Sequence, residues 1–108
     1  MIKRIDQYGA EWCNPCHIMD KYLKIVLNNY PDIELVKYDS ELNEDKFKEM
    51  NIKNIPQLFF FDENGVQVHR LSGVHSWTKI QDIIKYHNKE ITDYNPYTIS
   101  SPSGSGLK

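Results

Sequence analysis

Residues 11–23 read EWCNPCHIMDKYL and hold the only two cysteines of the chain, Cys13 and Cys16. They stand where a short apolar strand, Ile2 to Ala10, gives way to an amphipathic helix. Pro15 suits a first helical turn, because its missing N–H would have no intrahelical partner there and its φ is already helical. Residues i and i+3 share a face in that turn, so the two sulfurs can close a disulfide with little backbone movement. The helix start also presents unpaired N–H groups and the positive end of the macrodipole, which favour a thiolate over a thiol. A cysteine so placed in Cys-x-x-Cys has its pKa lowered from about 8.5 to roughly 3.5–7.5. Cys13 therefore reads as an activated nucleophile, and Cys16 as the thiol that resolves the bond it forms.

Downstream of the cysteines, Ile18, Met19, Tyr22, Leu23, Ile25 and Val26 recur at helical spacing, with Asp20, Lys21 and Lys24 set against them as the polar side. The cluster Asn28-Asn29-Tyr30-Pro31-Asp32 ends that helix, and Ile33–Tyr38 reads as a second strand. A strand–helix–strand order predicts a parallel pair with a right-handed crossover. A short helix over 43–50 follows, turning Phe47 and Met50 inward. Gln57–Asp62 is nearly all apolar, as a central strand covered on both faces should be. Asn64-Gly65 favours a tight hairpin turn into Val66–Leu71. There Val66, Val68 and Leu71 are assigned inward, and Gln67, His69 and Arg70 to solvent. Ser76 can cap a last helix whose inward positions are Trp77, Ile80, Ile83, Ile84 and His87. From 92 to 108 the chain is Ser-, Gly- and Pro-rich without periodicity, which predicts a flexible tail after a domain over 1–91.

At 108 residues the chain is long enough for one core. A net charge of −2 offers no reason to expect nucleic acid or an anionic membrane as partner, and no apolar run approaches a membrane span. The N-terminal residues are basic but lack an apolar stretch of signal-peptide length, so a cytoplasmic protein is expected. Two cysteines cannot frame a secreted disulfide scaffold; inside a cell their spacing points to redox or metal chemistry. Zinc would need two more ligands from His17, His69, His75 or His87, and no second paired motif supplies them. C-N-P-C-H also matches the c-type haem attachment pattern, with His17 as axial ligand. That reading is set aside for want of an export signal, and no metal or cofactor is expected.

AEWCNPC at 10–16, KNIPQLFFFDENG at 53–65 and Gly73 after the last strand resemble the thioredoxin superfamily over about residues 2–90. The resemblance implies an α/β thioredoxin-like fold trimmed to β-α-β-α-β-β-α, a four-stranded mixed sheet flanked by helices. It has no room for the family's first strand and helix, so Ile33–Tyr38 becomes a sheet edge. It implies a cis Pro56 facing the sulfurs and an Ile55 backbone left free to pair with an extended substrate segment. Trp12, Pro56 and Gly73 would border that groove. The implied activity is thiol–disulfide exchange with protein disulfides, by a monomer re-reduced by a thioredoxin-reductase-like enzyme or a small thiol. A binding module with dispensable cysteines and a glutathione-dependent, glutaredoxin-like reductase are the alternatives.

Departures from the family accompany the match. Asn14 replaces the motif's glycine beside Pro15, and His17 the usual lysine. Gln7 occupies the place of the family's buried aspartate, while Lys37 matches its buried lysine. Asp6, one residue away, should point to the opposite face of its strand. With no carboxylate at position 7, both cysteine pKa values should fall and the pair should be somewhat more oxidising than an ordinary thioredoxin.

Overall fold

A computed structural model describes residues 1–92; the tail expected over 92–108 lies almost wholly outside the described residues. The elements are β1 (Ile2–Gly9), α1 (Asn14–Leu27), β2 (Glu34–Asp39), α2 (Glu44–Glu49), β3 (Gln57–Asp62), β4 (Gln67–Ser72) and α3 (Trp77–His87). They form one four-stranded sheet in the order β2-β1-β3-β4. β1 runs parallel to β2 and antiparallel to β3, and β4 is antiparallel to β3. The sheet is thus mixed, with β2 at one edge. The thioredoxin-like fold implied by the sequence is the fold observed.

Alternation along the strands divides the side chains between two layers. On one face Ile5, Leu58, Phe60 and Leu71 pack beneath Met19, Leu23 and Val26 of α1 and Ile80, Ile83 and Ile84 of α3. On the other, Tyr8 stacks on Tyr38 at 4.9 Å and meets Phe47 of α2 edge-on at 5.3 Å. This second layer also carries Arg4 over the Phe61 ring at 4.0 Å and Arg70 over Phe59 at 5.0 Å. Their guanidinium groups cover the faces of these aromatic rings. Asp6 is buried on this face, chelated by Arg4 Nε at 2.9 Å, so it points away from the side taken by Gln7.

Three side chains depart from their sequence assignment. His69 is buried rather than solvated, its ring 5.8 Å from Phe60 and 5.9 Å from His87. A strand's period of two puts His69 on the same face as Leu71, under α3, while a register shift between Phe60 and Phe61 absorbs Val68. Val66, assigned inward, lies before β4 begins and is exposed. Trp77 is 39% exposed: it is the first residue of α3, and the buried stripe Ile80, Ile83 and Ile84 closes the core without it.

Candidate active site

The end of β1 and the start of α1 deliver the two cysteines. Cys13 is the N-cap of α1, with extended φ and ψ of −94° and 104°, and Asn14 and Pro15 follow as exposed first-turn residues. Its Sγ accepts the Cys16 N–H at 3.3 Å, so the sulfur occupies the position a serine or aspartate oxygen takes in an ordinary N-cap. Cys13 and Cys16 are joined as a disulfide across a Cα–Cα distance of 5.3 Å. Both are buried to about 5% exposure or less, packed with Ala10 and the half-buried Ile55.

The loop before β3 lies alongside. The Ile55–Pro56 peptide is cis. Pro56 C=O accepts the Gly73 N–H at 2.9 Å, which ties this loop to the end of β4. Among the described residues neither the N–H nor the C=O of Ile55 has a hydrogen-bond partner. Gly73 has a φ of 81°, a conformation a side chain would strain. Trp12, beside the nucleophile, is 68% exposed.

Behind Cys16 lies an open cleft of about 400 Å³, lined by Gln7 and Gly9 of β1, Cys16 and Asp20 of α1, and Lys37 and Asp39 of β2, among others. Gly9 belongs there because a Cβ on it would come within 3.1 Å of Cys16 Sγ. Gln7 is buried, and its Nε2 donates to Asp20 Oδ1 at 2.7 Å. Lys37 does not match the family's buried lysine: its side chain is 56% exposed, but Nζ reaches back to Asp20 Oδ1 at 3.1 Å. His17 places Nε2 2.6 Å from the Glu11 carbonyl oxygen and Nδ1 3.9 Å from Asp20 Oδ2.

Asp20 is the residue sequence reasoning missed. It was set on the polar side of α1 with Lys21 and Lys24, yet it converges on Gln7 and Lys37 from the cleft side. At about 100° per residue Asp20 sits roughly 40° from Cys16, one turn along the same flank. Ile18 and Ile25 fall roughly 130° from the buried stripe, and are 42% and 49% exposed. The spacing Cys16 to Asp20, four residues on a helix, was the available signal. Its presence also removes the premise of a site with no carboxylate near the sulfurs. The further lowering of both cysteine pKa values argued from Gln7, and the more oxidising pair drawn from it, lose that premise; the effect of the helix end on Cys13 is separate.

The family model for thioredoxin matches residues 4–86. Thioredoxin of Mycoplasma genitalium is 30% identical over 79 residues, spanning 73% of this chain and 76% of its own. Thioredoxin of the snake Ophiophagus hannah is 27% identical over 78 residues, 72% of each chain. The crystal structure of oxidised mitochondrial thioredoxin 3 from Saccharomyces cerevisiae superposes with a TM-score of 0.68 at 26% identity, covering 77% of this chain and 76% of that one. A helix-capping Cys-x-x-Cys disulfide facing a cis-proline loop, on this sheet and within these sequences, is the arrangement of a thiol–disulfide oxidoreductase of the protein-disulfide-reductase type. The chain belongs to the thioredoxin family.

Proposed function

We propose that the chain carries reducing equivalents to disulfides of other proteins in the cytoplasm, acting as a monomer. The observation that carries this reading is the placement of Cys13 Sγ at the α1 N-terminus, beside the unpaired backbone of Ile55. In the reduced protein the helix end stabilises the Cys13 thiolate. An extended substrate segment pairs with Ile55 N–H and C=O in a short strand addition, flanked by Trp12, Pro56 and Gly73. The Cys13 thiolate attacks one sulfur of the substrate disulfide; a Cys13–substrate bond forms and the other substrate sulfur leaves as a thiolate. Cys16 then gives up its proton and attacks Cys13 Sγ. The Cys13–Cys16 bond forms, and the second substrate thiol departs. Two electrons have passed from the dithiol to the substrate. A thioredoxin-reductase-like enzyme or a small thiol restores the dithiol, and the exchange itself requires no bound cofactor. A thiol-reducing compartment such as the cytoplasm keeps that cycle turning.

Dithiothreitol-driven reduction of insulin tests the reading. Wild type accelerates insulin precipitation, and Cys13→Ser reduces the acceleration to the uncatalysed rate. No acceleration by wild type, or equal acceleration by Cys13→Ser, would overturn it in favour of a binding role that does not use the sulfurs.

A further inference from the structure

Resolution demands that a buried thiol lose its proton. Cys16 is 4% exposed, so an acceptor held beside it would take its proton more readily than bulk water. Gln7 cannot serve, because an amide does not take a proton near neutrality. Its orientation is fixed, since only Nε2 can donate to the Asp20 carboxylate, which leaves Oε1 buried without a partner among the described residues. Asp20 is different. It follows Cys16 by four residues on α1, which puts the two Cβ atoms about 5–6 Å apart. Both side chains line the cleft that the missing side chain of Gly9 keeps open. Oδ1 is engaged by Gln7 and Lys37, while Oδ2 lies 3.9 Å from His17 Nδ1.

We propose that Asp20 is the proton acceptor for Cys16 in the resolving step, held in place by Gln7 and Lys37. The proposal rests on the dithiol reading above. The Cys16 S–H proton passes to Asp20 Oδ2 across the cleft that both side chains line, as the sulfur attacks Cys13 Sγ. The Cys13–substrate bond breaks, and the departing substrate thiolate is protonated from solvent; Asp20 later returns its proton to solvent through the cleft. Of the other charged groups lining the cleft, Glu11 is exposed and only its backbone is hydrogen-bonded among the described residues. Asp39 accepts the N–H groups of Glu11, Glu41 and Leu42. His17 Nε2 lies 2.6 Å from the Glu11 carbonyl oxygen, and its Nδ1 stands 3.9 Å from Asp20 Oδ2.

The two steps can be watched separately in a single turnover of the reduced protein with 5,5′-dithiobis(2-nitrobenzoate). Attack by Cys13 releases the first thionitrobenzoate, and attack by Cys16 releases the second. Asp20→Asn is expected to leave the first release unchanged and to slow the second by about tenfold or more at neutral pH. That deficit should shrink as pH rises and hydroxide replaces the carboxylate. Asp20→Glu should recover most of the rate. So should Gln7→Asp combined with Asp20→Asn, which moves the acid 2.7 Å across an existing contact. A second release that is as fast and has the same pH profile in Asp20→Asn and wild type overturns the proposal. If wild type fails to give even the first release, the dithiol reading itself fails, which is a distinct result.

Discussion

Cys13 and Gly9 divide the requirements of the site at the level of single residues. Cys13 caps α1 through its sulfur, so the atom proposed as nucleophile lies where the Cys16 N–H and the positive end of the helix dipole meet it. Gly9 matters for what it lacks. A methyl group there would stand 3.1 Å from Cys16 Sγ and 3.2 Å from its Cβ, and a sulfur held in a disulfide cannot rotate away. Gly9→Ala is therefore expected to destabilise the oxidised protein by about 1–2 kcal/mol through overpacking. The reduced protein should lose less, because the Cys16 side chain is then free to turn. Urea unfolding of both redox states checks this; equal losses in the two would mean that the contact with the bound sulfur is not the cause. Little of this was legible beforehand, because a glycine closing a strand signals nothing about the sulfur it lies against until the helix is docked.

Elements were legible where their period was clean, and side chains where one period settled their face. Gln57–Asp62 emerged as a central strand with its bounds as read, and Ser76 does cap α3 by accepting the Lys79 N–H at 3.2 Å. His69 and Val66 went astray because the inward set Val66, Val68 and Leu71 does not keep a period of two, and a register shift lies beside it. Asp20 went astray because polarity was allowed to decide a helix face that angle decides better. Contacts between distant elements were not legible at all. Asn88, the C-cap of α3, accepts the Ile2 N–H through Oδ1 at 2.8 Å, joining the start of β1 to the end of the last helix. Asn88→Ala removes the partner of a partly buried amide and is expected to cost about 1–2 kcal/mol. Amide exchange at Ile2 should quicken along with the fall in denaturation midpoint. An unchanged midpoint would show that water takes over the amide at no cost.

For the molecule as a whole, folding and redox chemistry draw on different groups of the same layer. The sulfurs sit at one end of α1. The His69–His87 pair is packed between β4 and α3, with Lys79 and His75 contributing further positive charge. Burial, followed by the repulsion of His87, pushes the His69 pKa down to about 4, and burial lowers His87 as well. The unfolded chain takes up these protons below its ordinary pKa of about 6.5, whereas the folded protein does not. Stability is therefore full above that pH and is lost as pH falls towards about 4. Asp6, raised by burial, acts in the opposite sense, since the folded state takes up its proton first. After allowance for solvent screening, the His69 contribution amounts to about 1–2 kcal/mol. Thermal unfolding of His69→Phe should show a flatter loss of Tm than wild type between neutrality and pH 4.5; parallel profiles would contradict this. The measurement that most directly tests the central claim, that Cys13 attacks and Cys16 resolves, is trapping with insulin. Reduced Cys16→Ser and Cys13→Ser are each mixed with insulin and read by intact mass. Cys16→Ser is predicted to accumulate a dithiothreitol-sensitive adduct of one insulin chain on Cys13, with far less adduct on Cys13→Ser. Equal adducts on the two variants, or a dominant adduct on Cys16, would contradict the account.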